Sequence, residues 1–146
     1  MKCVCISNKN DFDNSNVIVI PHNIESPMDE NNFISIGTTS LVGGVERYNI
    51  TIDCEYDVYG IIFFRDESYF LIQNDDSLLS LYNSKLFKIT INELFCEWGI
   101  KQYLIESDTF TIISFDFFIE YNNFIRLLEN GHNEVRKFLE YKQNMW

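Results

Sequence analysis

Alanine is missing from this chain altogether, proline occurs only at Pro21 and Pro27, and histidine only at His22 and His132. Basic residues are scarce too: 11 Lys and Arg stand against 22 Asp and Glu, for a formal net charge of −11. A field of that sign repels phosphate backbones and anionic membrane surfaces, so neither a nucleic acid nor a membrane is an expected partner. The four cysteines, Cys3, Cys5, Cys54 and Cys96, lack the spacing of a disulfide framework and sit among apolar residues. Free, reduced and mostly buried thiols are expected. Cys3 and Cys5 have no second pair at finger spacing, and facing opposite sides of a strand they would not share a zinc ion. No window is apolar for a membrane-spanning length, and MKCVCISNKNDF holds too short an apolar run for a signal peptide. The expected location is the cytoplasm.

Catalytic motifs are equally scarce. There is no G-x-S-x-G, P-loop or dinucleotide fingerprint, and neither His22 nor His132 has a visible activating neighbour. Asp11-Phe-Asp13-Asn-Ser15 opens like a calcium loop, but Asn16 stands at its glycine position and His22 at its closing glutamate. No enzyme, cofactor or metal is expected.

What the chain does have is apolar mass. Its 146 residues are 46% hydrophobic and 16% aromatic, with 13 Phe and 8 Tyr. That excludes a disordered chain and gives one domain of common size with a hydrophobic core. The abundance of Asn and Ile beside absent alanine reads as an AT-rich coding bias, not as folding physics.

From Tyr48 to Val58 the sequence alternates with period two. Tyr48, Ile50, Ile52, Cys54, Tyr56 and Val58 would share a buried face, and Asn49, Thr51, Asp53, Glu55 and Asp57 a wet one. Ile61–Phe64, apolar on both faces, predicts a central strand, and Arg65-Asp66-Glu67-Ser68 a turn into Tyr69–Ile72. Further strands are expected at Val4–Ile6, Val17–Ile20, Phe33–Ile36 and Leu86–Ile91. Gly37–Gly44 and Asn74–Ser77 read as turns or loops, and Leu78–Tyr82 is too short to assign. Asn92 is placed to cap a short helix through Trp98 that stops at Gly99. Lys101–Glu106 and Thr109–Phe115 read as a hairpin, with continuation of that helix through Ile105 as the alternative.

Asp116 is expected to cap a helix carrying Phe118, Tyr121, Ile125 and Leu128 and ended by Asn130-Gly131. A last helix over Asn133–Gln143 would bury Val135, Phe138 and Leu139, with Glu134–Lys137 and Arg136–Glu140 as surface pairs. The fold class is α+β: one domain over residues 1–146, a mostly antiparallel sheet, a short middle helix and two C-terminal helices.

Acidity is uneven. Residues 1–60 hold nine acidic and three basic residues, whereas residues 109–146 hold five and four. Asp53, Glu55 and Asp57 would project about 7 Å apart along one strand. Carboxylates so arranged diverge, which argues against a metal site and leaves a solvated face or a docking surface. Tyr56, Tyr59, Tyr69, Trp98 and Tyr103 lie near acids, a combination suited to binding a basic protein, although core packing accounts for such aromatics as well. The expected partner-binding set is Asp53, Glu55, Asp57, Tyr59, Asp66, Glu67, Asp75 and Asp76.

In this general character (small, acidic, single-domain, rich in Asn, Ile and aromatics) the chain resembles the immunity proteins of bacterial toxin systems, those of contact-dependent growth inhibition most. The resemblance rests on no motif and transfers no residue. It implies a cytoplasmic protein that binds and neutralises a cognate basic toxin domain, often a nuclease. Two other readings compete: a phage or mobile-element protein mimicking nucleic-acid charge, and a small hydrolase using His22 or His132.

Overall fold

The computed structural model describes residues 1–9, 17–19, 33–35, 39–42, 45–94 and 97–145, with backbone only for the short strands between residues 17 and 46. The expected α+β architecture is present, and every strand pairing is antiparallel.

Two hairpins lie early in the chain. β2 (Val17–Val19) pairs with β3 (Phe33–Ser35), and β4 (Thr39–Val42) with β5 (Val45–Tyr48). Part of the stretch read as a Gly37–Gly44 loop is therefore strand. A three-stranded sheet places β1 (Lys2–Cys5) between β10 (Phe87–Ile91) and β6 (Glu55–Asp57).

The largest sheet has five strands. From one edge to the other these are β11 (Trp98–Ile105), β12 (Asp108–Phe115), β7 (Gly60–Phe64), β8 (Glu67–Gln73) and β9 (Leu79–Asn83). β7 is internal, as its doubly apolar IIFF predicts. It closes on β12 without a side chain at Gly60, where Ser114 Oγ donates to Tyr59 O at 2.7 Å.

Each face of this sheet meets a different layer. Ile62, Phe64, Tyr69, Leu71, Phe110 and Ile112 point to one side, where they pack with residues of α1 (Tyr121–Leu128) and α2 (His132–Asn144). Ile61, Phe70, Ile72 and Tyr82 point to the other, packing with Met1, Cys3, Cys5 and Phe87 of the small sheet. Two adjacent residues can therefore both be buried, as Val58 and Tyr59 are, one in each core.

Helix α1 begins later than expected. Phe118 N and Ile119 N donate to Phe115 O in a turn, so Asp116 caps nothing and Glu120 is the N-cap. The first turn is satisfied from the sheet instead: Tyr103 Oη accepts from Tyr121 N at 3.0 Å and donates to Ile119 O at 2.7 Å. Asn130, with φ 63°, ends the helix as expected. In α2 the buried side is Val135, Phe138 and Tyr141 rather than Leu139, which is 45% exposed. Glu134 is buried near the helix N-terminus, where the dipole favours an anion. It faces Arg126 at 3.8 Å instead of Lys137, which pairs with Glu140 at 3.5 Å.

Three further expectations are corrected. Tyr48–Val58 is not one strand: β5 ends at Tyr48, the chain turns at Ile52 and Asp53, and β6 starts at Glu55. Asp53 adopts φ 68°, a left-handed conformation that aspartate tolerates better than most residues. Ile52, at 45% exposure, thus lies on the surface. The middle helix does not run to Trp98, because Asn92–Leu94 is irregular and Trp98 already belongs to β11. Lys101–Glu106 and Thr109–Phe115 form the hairpin, paired from Trp98 with Phe115 to Ile105 with Asp108. Finally, Cys3 and Cys5 share one buried face, since residues two apart on a strand point the same way.

Candidate partner-binding surface

The eight residues expected to bind a partner fall into five separate environments. Glu55 and Asp57, the only two of the alternate carboxylates that remain on a strand, straddle Lys2 of β1. Lys2 Nζ lies 3.3 Å from Glu55 and 3.7 Å from Asp57. The hydrogen bond to Glu55 and then the charge of Asp57 raise the Lys2 pKa. One lysine thus serves both carboxylates, Thr90 Oγ1 donates to Glu55 at 3.3 Å, and the buried Asp57 Oδ1 has, among the described residues, only the ion-pair contact with Lys2.

Asp75 and Asp76 sit in the β8–β9 turn, which the buried Asn74 organises. Its Oδ1 accepts from the backbone N–H of Asp76 and Leu78, and its amide donates to Tyr82 Oη at 3.1 Å. The turn then fastens to residues 49–56. Asp75 accepts from Thr51 Oγ1 and Tyr56 Oη, each at 2.6 Å, and Asp76 from Asn49 Nδ2 at 2.8 Å. These two aspartates have structural work. Asp53 is exposed in its turn and carries no side-chain ion pair or hydrogen bond among the described residues.

Tyr59 is the clearest correction. It is only 4% exposed, packs edge-on to Phe138 with ring centroids 4.8 Å apart, and offers no surface to a partner. Burial, with a smaller contribution from Asp57, pushes its phenol up to about 12.

Asp66 and Glu67 lie at the β7–β8 hairpin. Arg65 and Asp66 both have positive φ, 51° and 63°, the conformation of a two-residue hairpin turn that twists with its strands. Glu67 accepts from Asn83 Nδ2 at 3.1 Å and pairs with Lys85 at 3.2 Å. Arg65 turns to Asp108 at 3.0 Å on the neighbouring β11–β12 hairpin. Asp66 and Glu106, both exposed and both left-handed at the hairpin tips, have no cation or hydrogen-bond partner among the described residues.

No protein-family model, curated protein or solved structure matches the chain.

Sequence reasoning passed over a second kind of surface. Register places Ile100, Ile113, Ile61, Phe70 and Tyr82 in one row across the large sheet. Exposure climbs along that row from Tyr82 (0%) and Ile61 (9%) to Ile100 (63%), because the core shared with the three-stranded sheet takes in Tyr82, Phe70 and Ile61 and, at its margin, Ile113, but not Ile100. On the uncovered half Phe63 is 46% and Leu104 71% exposed. Phe63 stands between two openings. One is an apolar groove of ≈410 Å³ running to Phe70, Phe87 and Ile89. The other is an open cleft of ≈660 Å³ bounded by Asp66, Glu67 and Asp108. The alternation of Ile100, Gln102 and Leu104 was the available signal, but identical patterns serve strands covered on both faces.

Among the described residues no cluster of His, Cys, Asp and Glu could hold a metal ion, and none of the helices is long and apolar enough to cross a membrane. His132 is exposed at the start of α2, whereas His22, Cys96 and the Asp11–Ser15 segment lie outside the described residues.

Proposed function

We propose that this protein is a cytoplasmic immunity protein, which binds and neutralises a cognate basic toxin domain. The observation that carries this reading is the surplus of exposed carboxylate. Acids outnumber bases 22 to 11, and Asp66 and Glu106 at neighbouring hairpin tips find no cation among the described residues. Self-repulsion of this kind destabilises a compact fold, and a basic partner relieves it on binding. The same charge speeds encounter with a cationic surface, and exposed apolar side chains beside it supply area to desolvate.

The test is co-expression with the C-terminal domain encoded immediately upstream of the gene. A one-to-one complex should co-purify, cells should survive, and association should slow as salt is raised. Absence of pairing with a harmless upstream domain would retire this reading. Binding to several unrelated basic proteins would replace it with charge mimicry.

A further inference from the structure

We infer that the partner docks on the uncovered half of the five-stranded sheet, with Phe63 and Leu104 as anchors and the acidic hairpin tips as rim. This rests on the proposed function and names its binding face. The strand face that the sequence suggested is a poor candidate by comparison: Glu55 and Asp57 already hold Lys2. Asp75 and Asp76 already accept hydrogen bonds from Asn49, Thr51 and Tyr56.

The open sheet has the two ingredients those sites lack together. The first is apolar area. Ile100 and Leu104 are 63% and 71% exposed on β11, an edge strand, and Phe63 is 46% exposed in the middle of the sheet. Exposed apolar side chains grouped on one sheet face, here with Gln102 and Thr111 between them, suit an interaction site, and aromatic residues are frequent anchors. The second is unanswered charge. Asp66 and Glu106 close one end of the same face without a cation among the described residues, while Glu67 and Asp108 are each paired with one exposed cation, Lys85 at 3.2 Å and Arg65 at 3.0 Å.

This charge decides the occupant. A second copy of the chain would bring another net −11, and a two-fold pairing of the face would face acid with acid. A basic protein presenting a lysine- or arginine-flanked apolar side chain matches both halves: the side chain covers Phe63 and Leu104, and the cations reach the 660 Å³ cleft. Gln102 and Thr111, which share this face and are joined by a 3.3 Å hydrogen bond, offer the polar groups between.

The experiment uses the full chain and the upstream-encoded domain, with affinity and association rate measured for the wild type and five variants. Phe63→Thr and Leu104→Thr remove apolar area but keep β-propensity, and each should weaken binding about ten-fold or more. Asp66→Asn combined with Glu106→Gln should slow association and flatten its salt dependence while leaving dissociation nearly unchanged. Glu55→Gln and Asp53→Asn, on the other faces, should bind like the wild type. Leu104 is 71% exposed, so Leu104→Thr remains informative even where Phe63→Thr unfolds. Full affinity in Leu104→Thr with weakened binding in Glu55→Gln or Asp53→Asn would move the site and overturn the inference, leaving the immunity reading intact. A wild-type chain that ignores the upstream domain removes both. A wild-type dimer by sedimentation that Leu104→Thr makes monomeric gives the face to a second copy and also overturns it.

Discussion

Tyr56 donates its phenolic hydrogen to Asp75 Oδ1 at 2.6 Å, and its oxygen accepts the backbone N–H of Thr51 at 2.8 Å. One hydroxyl thus ties β6, the turn that precedes it and the β8–β9 turn into a single unit. Burial first, and the hydrogen bond to Asp75 second, raise its pKa, so it keeps the proton it donates. Tyr56→Phe retains the edge-on contact with Phe87 and loses both hydrogen bonds. It should destabilise the protein by about 1–2 kcal/mol, read as a lower urea midpoint at unchanged slope. An unchanged midpoint would mean that water replaces the hydroxyl without loss.

The β7–β8 turn makes the opposite prediction. Arg65 and Asp66 hold left-handed backbone angles without being glycine, and that conformation opposes an ordinary side chain by about 1–2 kcal/mol. Aspartate lowers the penalty, and glycine adds unfolded-state entropy. Asp66→Gly should therefore stabilise by only about 0.5 kcal/mol, visible as a small rise in melting temperature. The substitution should also slow association with the basic partner, since Asp66 rims the proposed face. A stability loss would show that the Asp66 carboxylate supports the turn.

How much of this was legible depends on what the pattern measures. Continuous apolarity marked the strand at Ile61–Phe64 and β-branched content the one at Leu86–Ile91, whereas Leu78–Tyr82 was too short to assign and corresponds to β9; the Asn130-Gly131 stop marked the gap between helices correctly. Alternation says nothing about which partner a strand takes. Tyr48–Val58 kept its period through Ile52 and Cys54, yet the chain left the sheet there, because β6 pairs with distant β1. Tyr59 read as surface because it follows carboxylates, whereas it lies between two layers that no local window reveals. The open sheet face was hidden for the same reason. Whether Phe63 or Leu104 is covered is decided by how far the three-stranded sheet extends, a long-range property of β1, β6 and β10.

Thiol chemistry separates the cysteines that the sequence grouped. Cys3 and Cys5 are fully buried, and burial pushes their thiols up to about 12 and about 11, whereas Cys54 is exposed. The thiolate is the reactive species. Brief iodoacetamide treatment of the folded protein at pH 8, followed by peptide mapping, should modify Cys54 well before Cys3 or Cys5. Early labelling of Cys3 would mean that β1 opens readily from the small sheet.

The helical layer can be tested at Phe138, which is 1% exposed and meets Tyr59 edge-on at 4.8 Å. Phe138→Ala should destabilise by roughly 3–5 kcal/mol through lost burial and the cavity left behind. Tyr59→Phe keeps the ring and should change stability by less than about 0.5 kcal/mol, with affinity for the basic partner unaltered. A binding defect in folded Tyr59→Phe would return that residue to the interface.

Alkaline pH provides the last prediction. Cys3 rises from an ordinary 9.0 to about 12, Cys5 from 9.0 to about 11 and Tyr59 from 10.0 to about 12, each chiefly through burial. All three are raised in the folded state, so the unfolded chain gives up their protons first. The associated stability is complete below about pH 9 and is lost as pH climbs through about 11–12, each group contributing a slope of up to about 1.4 kcal/mol per pH unit. Urea unfolding at steps from pH 8 to pH 11 should show a plateau followed by a steepening decline. Cys3→Val keeps the buried volume near that of the thiol and removes one titrating group, and so should make the decline shallower. An equal slope in Cys3→Val would assign the loss to Cys5 and Tyr59 and show that the Cys3 thiol is open to water before the chain unfolds.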